Sequence, residues 1–169
     1  ARLCKMGYEV FGIGRSFGSS FAEQFPDVAD NPLFHAVVCD LLDTEKMLKM
    51  VREIAAEAEV TLLVNNAGIY ANIPAEEIAS ETFCDIIDVN VKGTFFMTRH
   101  FVDLMIANHY GKIINLCSAV GLRAAPGSIA YASSKFAVRG MTQALALELG
   151  KYNIPVSYTH LTLPTKRIV

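Results

Sequence analysis

The chain has 169 residues, 52% of them hydrophobic, and a formal net charge of −2 at pH 7. That length and apolar content suffice for one compact domain with a buried core. The charges are spread without a Lys/Arg block, which argues against nucleic acid or an anionic membrane as a partner. No apolar run approaches the roughly 20 residues of a membrane span. Four widely spaced cysteines without a CxxC pair indicate reduced thiols and a cytoplasmic location, and we expect no metal centre.

Short apolar runs and stretches of helical periodicity alternate along the chain. Strands are predicted at 10–14, 35–39, 60–64 and 112–117, with a last one beginning near residue 154. Helices are predicted from a cap at Asp43 or Thr44 to about residue 58, over about 81–108 and over about 128–149. Buried strands separated by helices predict a doubly wound parallel α/β sheet, whose ligands bind at the carboxyl ends of the strands.

The two ends of the sequence differ from the rest. The chain opens on Ala1-Arg2-Leu3 without an initiator Met, within a helical pattern that Gly7 ends, so we expect preceding residues to be missing. From Val156 onward, Val-Ser-Tyr-Thr-His-Leu-Thr-Leu-Pro-Thr resembles what a transposase-type sequencing-library adapter would encode. We therefore predict a partial domain over 1–155 and a non-native tail over 156–169, which we leave out of the fold prediction. The alternative for the tail is a natural polar strand and loop.

Tyr131 and Lys135 stand at positions i and i+4 of the last predicted helix, a spacing that places both side chains on one face. A phenol is a poor proton donor or acceptor near neutral pH, but a cation beside it stabilises the phenolate. The pair can therefore exchange a proton with a substrate. Taken alone, this spacing more often marks a solvated lysine beside a half-buried tyrosine.

Other polar residues lie where strands end or interrupt a helix. Ser118 follows the strand 112–117, where its hydroxyl can hydrogen-bond a substrate carbonyl oxygen; a turn cap is the alternative. Asn65-Asn66-Ala67-Gly68 follows the strand 60–64 and lets a cofactor approach the backbone closely; an ordinary turn is the alternative. Asn90 lies inside a predicted helix, where its amide competes for backbone hydrogen bonds, and a functional role would explain it.

Over residues 1 to about 155 the sequence resembles the short-chain dehydrogenases/reductases. The resemblance lies in four motifs that occur in the family's order: Asn-Asn-Ala-Gly, Asn90 in a Val-Asn context, Ser118 and Tyr-x-x-x-Lys. The resemblance implies a Rossmann-like, NAD(P)-dependent oxidoreductase that interconverts a carbonyl and an alcohol by hydride transfer. It implies that Tyr131 is the catalytic acid or base and that Tyr131 and Lys135 both contact the cofactor. Lys135 would also stabilise the phenolate and bind the nicotinamide ribose. Ser118 would hold the carbonyl, and Asn90 would fix a water that relays protons to Lys135.

The resemblance also suggests the cofactor. Gly14 occupies the strand end where an acidic residue would bind the ribose 2′-hydroxyl of NAD. Arg15 follows it, and a guanidinium suits the 2′-phosphate of NADP, so NADP is favoured over NAD. By the same resemblance, Asp40 and Leu41 would contact the adenine. The backbone of Asn66, Ala67 and Gly68 would line the cofactor cleft.

The family's loop Thr-Gly-x-x-x-Gly-x-Gly, between its first strand and first helix, is absent. Gly12-Ile-Gly14 does not replace it, because this string lies within a strand and opens no helix. We expect that the first strand with its glycine loop, and the downstream substrate loop, are missing. Loss of a central strand would expose the edges of its neighbours, so we expect the chain alone to be unstable or aggregation-prone. Without the pyrophosphate cradle we expect it to be inactive.

Other readings of the motifs stay open. An extended-type sugar epimerase or dehydratase also uses Tyr-x-x-x-Lys, although the intact Asn-Asn-Ala-Gly argues against it. A non-catalytic cofactor-binding protein is disfavoured because all four catalytic positions hold competent residues. Helices around 94–104 and 132–147 are candidates for a subunit interface, and the resemblance implies a homodimer or homotetramer. The small-molecule substrate is a carbonyl or alcohol, with a 3-oxoacyl thioester or a general carbonyl compound favoured over a ketosteroid or a sugar.

Overall fold

A computed structural model of the protein describes residues 2–161, and the chain divides after Glu57 into two compact units. The first unit contains α1 (Arg2–Lys5), β1 (Val10–Gly14), α2 (Ser19–Gln24), α3 (Pro26–Ala29), β2 (Phe34–Val38) and α4 (Thr44–Glu57). The second contains β3 (Leu62–Asn65), α5 (Ser80–Ile87), α6 (Thr94–Ala107), β4 (Lys112–Ser118), α7 (Ile129–Leu149) and β5 (Val156–Leu161). A π-helical stretch, Asp88–Gly93, joins α5 to α6.

The first unit is built on a two-stranded parallel sheet. β1 and β2 pair in register, with Val10 opposite Phe34. The ring of Phe34 lies against β1 at Gly12, where an added Cβ would lie 2.5 Å from the ring, so a side chain here would require the ring to shift. Phe17 and Phe21 pack on the same ring, with centroids 6.2 and 5.7 Å from it. The sheet is therefore stabilised on this side by aromatic packing.

Helix α4 begins as the sequence predicts. The carboxylate of Asp43 accepts a hydrogen bond from the backbone N–H of Lys46 at 3.0 Å, the geometry of an N-terminal cap. This contact is the main reason that the pKa of Asp43 is lowered, because it favours the charged carboxylate. The helix then buries one apolar face, formed by Met47, Met50, Val51 and Ile54.

The second unit is a three-stranded parallel sheet in the order β3-β4-β5. Leu62 lies opposite Lys112, and Ile113 lies opposite Val156. α7 packs against β4 and β5, and α6 packs against β3. The core between helices and sheet is formed by Ile86, Met97, Phe101, Met105, Ile113, Cys117, Val138 and Ile154, all at most 4% exposed.

The predicted parallel α/β fold is confirmed, with shifts at the ends of the elements. The strand expected near residue 154 begins at Val156, because Asn153 adopts a left-handed conformation (φ 59°) and the N–H of Ile154 still bonds to Leu149. The strands also form two sheets rather than one continuous sheet. Within residues 2–161, no helix has the length and apolar content needed to cross a membrane. All four cysteines are free.

The first part of the predicted non-native tail is a strand in the structure, since Val156–Leu161 pairs with β4 along its whole length. A polar sequence can occupy this position because β5 takes part through its backbone, and each strand position opposite β4 needs only an N–H and a C=O. Residues 162–169 lie outside the part of the chain that is described. The non-native origin of 156–169 stays a prediction, which the nucleotide sequence of the parent gene tests.

Candidate active site

Tyr131 and Lys135 lie together in the first turns of α7. The Lys135 Nζ is 5.6 Å from the centroid of the Tyr131 ring. It donates a hydrogen bond of 2.8 Å to the backbone oxygen of Leu116 in β4, so the sheet fixes its position. The Lys135 side chain therefore lies beside the phenol and is anchored there by the backbone of the neighbouring strand.

Lys135 is only 5% exposed, which separates it from an ordinary surface lysine. Burial lowers the pKa of Lys135, because a poorly solvated site disfavours the charged ammonium, and the nearby Cys117 thiol opposes this shift in part. A buried ammonium has a free-energy cost that a solvated lysine does not have. Such a group in a site beside a phenol is a candidate for acid–base chemistry.

Asn90 lies in the π-helical stretch and is fully buried. Its Oδ1 accepts from the N–H of Ile69 at 2.8 Å, and its Nδ2 donates to the Ile69 carbonyl at 2.9 Å. The same Nδ2 reaches the hydroxyl of Ser134 in α7 at 3.0 Å. These contacts show that the Asn90 amide holds the loop after β3 to α7, and the role in fixing a water that the resemblance implies stays a prediction. π-helical turns occur often at functional sites, and here the turn carries this amide.

Asn66, Ala67 and Gly68 are exposed, so their backbone is accessible at the end of β3. At Gly68 an added Cβ would lie 3.2 Å from Asn90 Oδ1 and 3.6 Å from Lys135 Nζ. Gly68 therefore brings the loop backbone close to the buried amide and the ammonium. A side chain at this position would occupy the space beside them.

Ser118 is the last residue of β4 and is partly buried. Its Oγ accepts from the N–H of Val120 at 3.4 Å and so caps the short helical turn Ala119–Gly121. The turn-cap alternative is thus present in the structure. Accepting this hydrogen bond uses a lone pair of the oxygen and not the hydroxyl proton.

Gly121 brings this turn against α7. An added Cβ would lie 2.7 Å from Cys117 Sγ and 3.0 Å from the backbone oxygen of Lys135. We expect Gly121→Ala to lower the free energy of unfolding of the full-length protein by about 1–3 kcal/mol, because the turn and helix must separate. Urea denaturation measures this. Gly140→Ala is the control: no heavy atom lies within 4 Å of its added Cβ, and alanine suits a helix interior. Equal stability of the Gly121 and Gly140 variants would contradict the contact.

The sequence did not reveal a chain of buried hydrogen bonds beneath the site. Asn65 Nδ2 donates to Asn115 Oδ1 at 2.8 Å and to Thr98 Oγ1 at 2.9 Å. Asn115 Nδ2 donates to Thr142 Oγ1 at 2.8 Å. We call Asn65, Asn115, Thr98 and Thr142 the polar ladder. It connects α6, β3, β4 and α7, so it holds α6 and the site-bearing helix α7 against the sheet.

One signal could have indicated part of the ladder. Asn115 interrupts the apolar strand Lys112–Ser118, and a polar side chain in a buried strand needs a hydrogen-bond partner. Thr98 and Thr142 give no comparable signal, since each hydroxyl can bond to its own helix, as both do with the carbonyl four residues earlier. Ser134 was also missed; its hydroxyl donates to the Tyr131 carbonyl at 2.7 Å while accepting from Asn90.

The predicted adenosine-contacting residues belong to the first unit. Arg15 follows β1 and is exposed, and among residues 2–161 it makes no hydrogen bond or ion pair. Asp40 is exposed, and its Oδ1 accepts from the N–H of Leu42 at 3.0 Å, which forms a turn after β2. Leu41 is partly buried in that turn, and Gly14 accepts a hydrogen bond from the N–H of Cys39. Arg15 and Asp40 thus follow the carboxyl ends of two paired parallel strands.

The fold and the site together define a parallel α/β protein with a buried lysine beside a partly buried tyrosine, next to the carboxyl end of β4. The model of the short chain dehydrogenase family matches residues 1–163. Since this is nearly the whole sequence, the chain belongs to the short chain dehydrogenase family, and the resemblance seen in the motifs is confirmed.

Individual relatives agree with this assignment. The 3-oxoacyl-[acyl-carrier-protein] reductase FabG of Rickettsia bellii (strain RML369-C) is 37% identical over 131 residues, covering 78% of this chain and 52% of that protein. The cyclopentanol dehydrogenase of Comamonas sp. (strain NCIMB 9872) is 37% identical over 127 residues, covering 75% and 51%. The structure of ElxO with NADP bound aligns with a TM-score of 0.86 and 27% identity, covering 93% and 64%. The chain spans about half the length of the curated relatives it matches.

Proposed function

We propose that the full-length protein carrying this chain is an NAD(P)-dependent oxidoreductase that interconverts a carbonyl and an alcohol. The observation that carries the proposal is the buried ammonium of Lys135, fixed beside Tyr131 by the Leu116 carbonyl in a member of the short chain dehydrogenase family. A lysine that served only solubility would not be buried at this cost.

In the proposed reduction, the Tyr131 hydroxyl donates its proton to the substrate oxygen as negative charge develops there. Lys135 stabilises the phenolate that remains, and Ser118 holds the substrate oxygen by donating its hydroxyl proton. In the oxidation the phenolate takes the proton from the alcohol. Asn90 acts by positioning, since its amide fixes Ile69 and Ser134 around the pair.

The residues present fit a dinucleotide cofactor. The exposed backbone of 66–68, with the space beside Gly68 next to Lys135 Nζ, lets a cofactor ribose approach the ammonium. When bound, the nicotinamide supplies or accepts the hydride at the substrate carbon. Asp40 and Leu41 would bind the adenine. Arg15, exposed and without an internal partner among residues 2–161, would bind the 2′-phosphate, so we propose NADP, the cofactor bound in ElxO.

The test of function and cofactor is oxidation of NADPH and NADH at 340 nm by the full-length protein, against 3-oxoacyl thioesters and simple ketones. We expect turnover that prefers NADPH. Arg15→Ala should raise the KM for NADPH by about 10–100-fold, the value of a charge-assisted hydrogen bond, and leave the KM for NADH unchanged. Arg52→Ala, which removes another exposed arginine of the first unit, is the control.

Equal use of both cofactors by the unmodified protein would contradict the role of Arg15. Cofactor binding by a folded protein without turnover of any carbonyl compound would favour the non-catalytic alternative. Cofactor binding is measured by fluorescence of the reduced nicotinamide, on the same protein preparation as the turnover assay.

The proposed substrate class rests on the names of two relatives. We propose a 3-oxoacyl reductase or a general carbonyl reductase, because one relative with 37% identity is named a 3-oxoacyl-[acyl-carrier-protein] reductase and another with 37% identity is named a cyclopentanol dehydrogenase. We also propose a cytoplasmic homodimer or homotetramer. Phe95 of α6 and Phe136 and Leu147 of α7 support an interface on these helices, since they are 47%, 42% and 86% exposed.

We propose further that this chain is part of a longer domain. Within residues 2–161 the strands form two sheets, and β4 is the one strand of this range that pairs with β3. A further strand can add to such an edge through its free backbone groups. The chain alone should then be unstable or aggregation-prone and inactive, and the full-length protein is the one to test.

A further inference from the structure

Tyr70, in the loop after β3, packs its ring against the ring of Tyr131. The centroids of the two rings are 4.9 Å apart and the ring planes meet at 85°, a favourable edge-to-face arrangement. Tyr70 is nevertheless 62% exposed. An open aromatic surface therefore stands directly beside the candidate catalytic phenol.

The loop that carries Tyr70 is fixed on one side by Asn90. The amide of Asn90 bonds to both the N–H and the carbonyl of Ile69, at 2.8 and 2.9 Å. Because Ile69 precedes Tyr70 directly, the backbone leading into the tyrosine has a fixed position. Asn90 is itself fully buried and bonded to Ser134 of α7, so this point does not move independently of the helix.

On its other side the loop is fixed to the turn that precedes α7. The N–H of Ile73 donates to the carbonyl of Gly127 at 2.8 Å. With its amide nitrogen facing the turn, Asn72 donates to the carbonyls of Pro126 and Gly127 at 3.3 and 3.1 Å. Gly127 has a φ of 72° and lies so close to Asn72 that an added Cβ would collide with it. Tyr70 is therefore held between two fixed points on either side of the start of α7.

This geometry constrains what can lie near Tyr70 during the proposed reaction. A substrate oxygen that takes a proton from Tyr131 must come within about 2.6–3.2 Å of the phenol oxygen. The groups on the reacting carbon then lie within a few bond lengths of the neighbouring ring. A flat apolar group gains from contact with an aromatic ring, whereas a methyl group covers little of it.

We propose that Tyr70 is a specificity-determining residue, an aromatic wall that selects carbonyl compounds with an aryl or alicyclic group on the reacting carbon. The inference rests on the proposed function and deepens it, because it names the substituent that the site prefers. The alternative role for Tyr70 is to support the ring of Tyr131, in which case its loss affects every substrate equally.

The test compares Tyr70→Ala and Tyr70→Phe in the full-length protein, with acetophenone, cyclohexanone and acetone as substrates. We expect Tyr70→Ala to raise the KM for acetophenone and cyclohexanone by about tenfold, the lower end of the range for a lost hydrophobic contact. The KM for acetone and all three kcat values should change by less than about twofold, because the reacting groups are untouched. Tyr70→Phe should behave as the unmodified protein, since it keeps the ring.

Tyr110→Ala is the matched control. Tyr110 is 43% exposed and lies just before β4, whereas the site lies at the other end of that strand. Its removal should change none of these values. If Tyr70→Ala raised the KM equally for all three ketones, or lowered kcat alone, the role of Tyr70 would be to support the Tyr131 ring, and the proposal would be overturned. An unchanged preference among the three ketones would overturn it as well.

Binding is measured in parallel by saturation-transfer NMR with acetophenone and acetone, which requires no turnover. The unmodified protein should bind acetophenone more tightly than acetone, and Tyr70→Ala should lose this difference. If no ketone is turned over but the binding difference disappears in Tyr70→Ala, the proposed function fails and the aromatic subsite stands. If the unmodified protein binds both ketones equally, the subsite fails whatever the activity.

Discussion

Tyr131→Phe should lower the kcat of the full-length protein by about 10²–10⁴-fold, the usual contribution of general acid–base catalysis. The substitution removes one hydroxyl and keeps the ring. The edge-to-face contact with Tyr70 depends on the ring alone, and Lys135 Nζ is held in place by the Leu116 carbonyl. The loss should therefore fall on the proton transfer, with the fold and cofactor binding retained.

The measurement is single-turnover reduction at saturating cofactor, with NADPH affinity and thermal unfolding followed on the same samples. Tyr152→Phe is a close control, because Tyr152 also has a lysine over its ring, with Lys151 Nζ 4.9 Å from the centroid. A Tyr131→Phe protein that kept more than about a tenth of the activity would exclude Tyr131 as the proton donor. Loss of NADPH binding as well would mean that the hydroxyl holds the cofactor.

Asn115→Leu should have the largest effect on stability, a loss on the order of 2–4 kcal/mol in the free energy of unfolding. Asn115 is fully buried and takes part in two hydrogen bonds of the polar ladder, one with Asn65 and one with Thr142. Leucine has a similar size but can make neither bond. Each buried polar group left without its partner costs about 1–3 kcal/mol, and the added apolar burial offsets part of this.

The midpoint of urea unfolding measures the loss, with the slope of the transition showing whether two-state behaviour persists. Asn108→Leu is the control, because Asn108 is exposed at the end of α6 and its substitution should change stability by less than about 0.5 kcal/mol. Combining Asn115→Leu with Thr142→Val should cost less than the sum of the two single changes, since both remove the same bond. Strict additivity would contradict the ladder.

Most of the fold could be predicted because strands and helices leave periodic patterns of apolar residues in the sequence. Strands such as Lys112–Ser118 are short apolar runs, and α7 shows helical spacing over six turns, so both were located within one or two residues. α2 and α3 were not predicted, because Phe25 and Pro26 divide a short polar stretch into two helices of six and four residues. The π-helical stretch was missed as well, since it has the composition of an ordinary helix.

The site was only partly predictable. Tyr131 and Lys135 form a motif of fixed local spacing, and the helix confirms that they lie together. Asn90 and Ile69, which are hydrogen-bonded, lie 21 positions apart in the sequence. Asn65 and Asn115 lie 50 positions apart. Such distances carry no periodic signal, so these contacts appear only when the chain is folded. The catalytic and cofactor-binding roles of the motif residues stay predictions for the experiments above.

The burial of Lys135 lowers the stability of the folded protein, while the proposed reaction requires this lysine. An apolar residue of similar length would avoid the cost of a poorly solvated cation, leaving only the Leu116 carbonyl without its donor. A laboratory selection that rewarded heat resistance alone would then favour variants without this lysine, and a selection for turnover would keep it. Engineering of this protein for harsher conditions should therefore leave Lys135 fixed and seek its gains elsewhere, for example at Gly140 on the same helix.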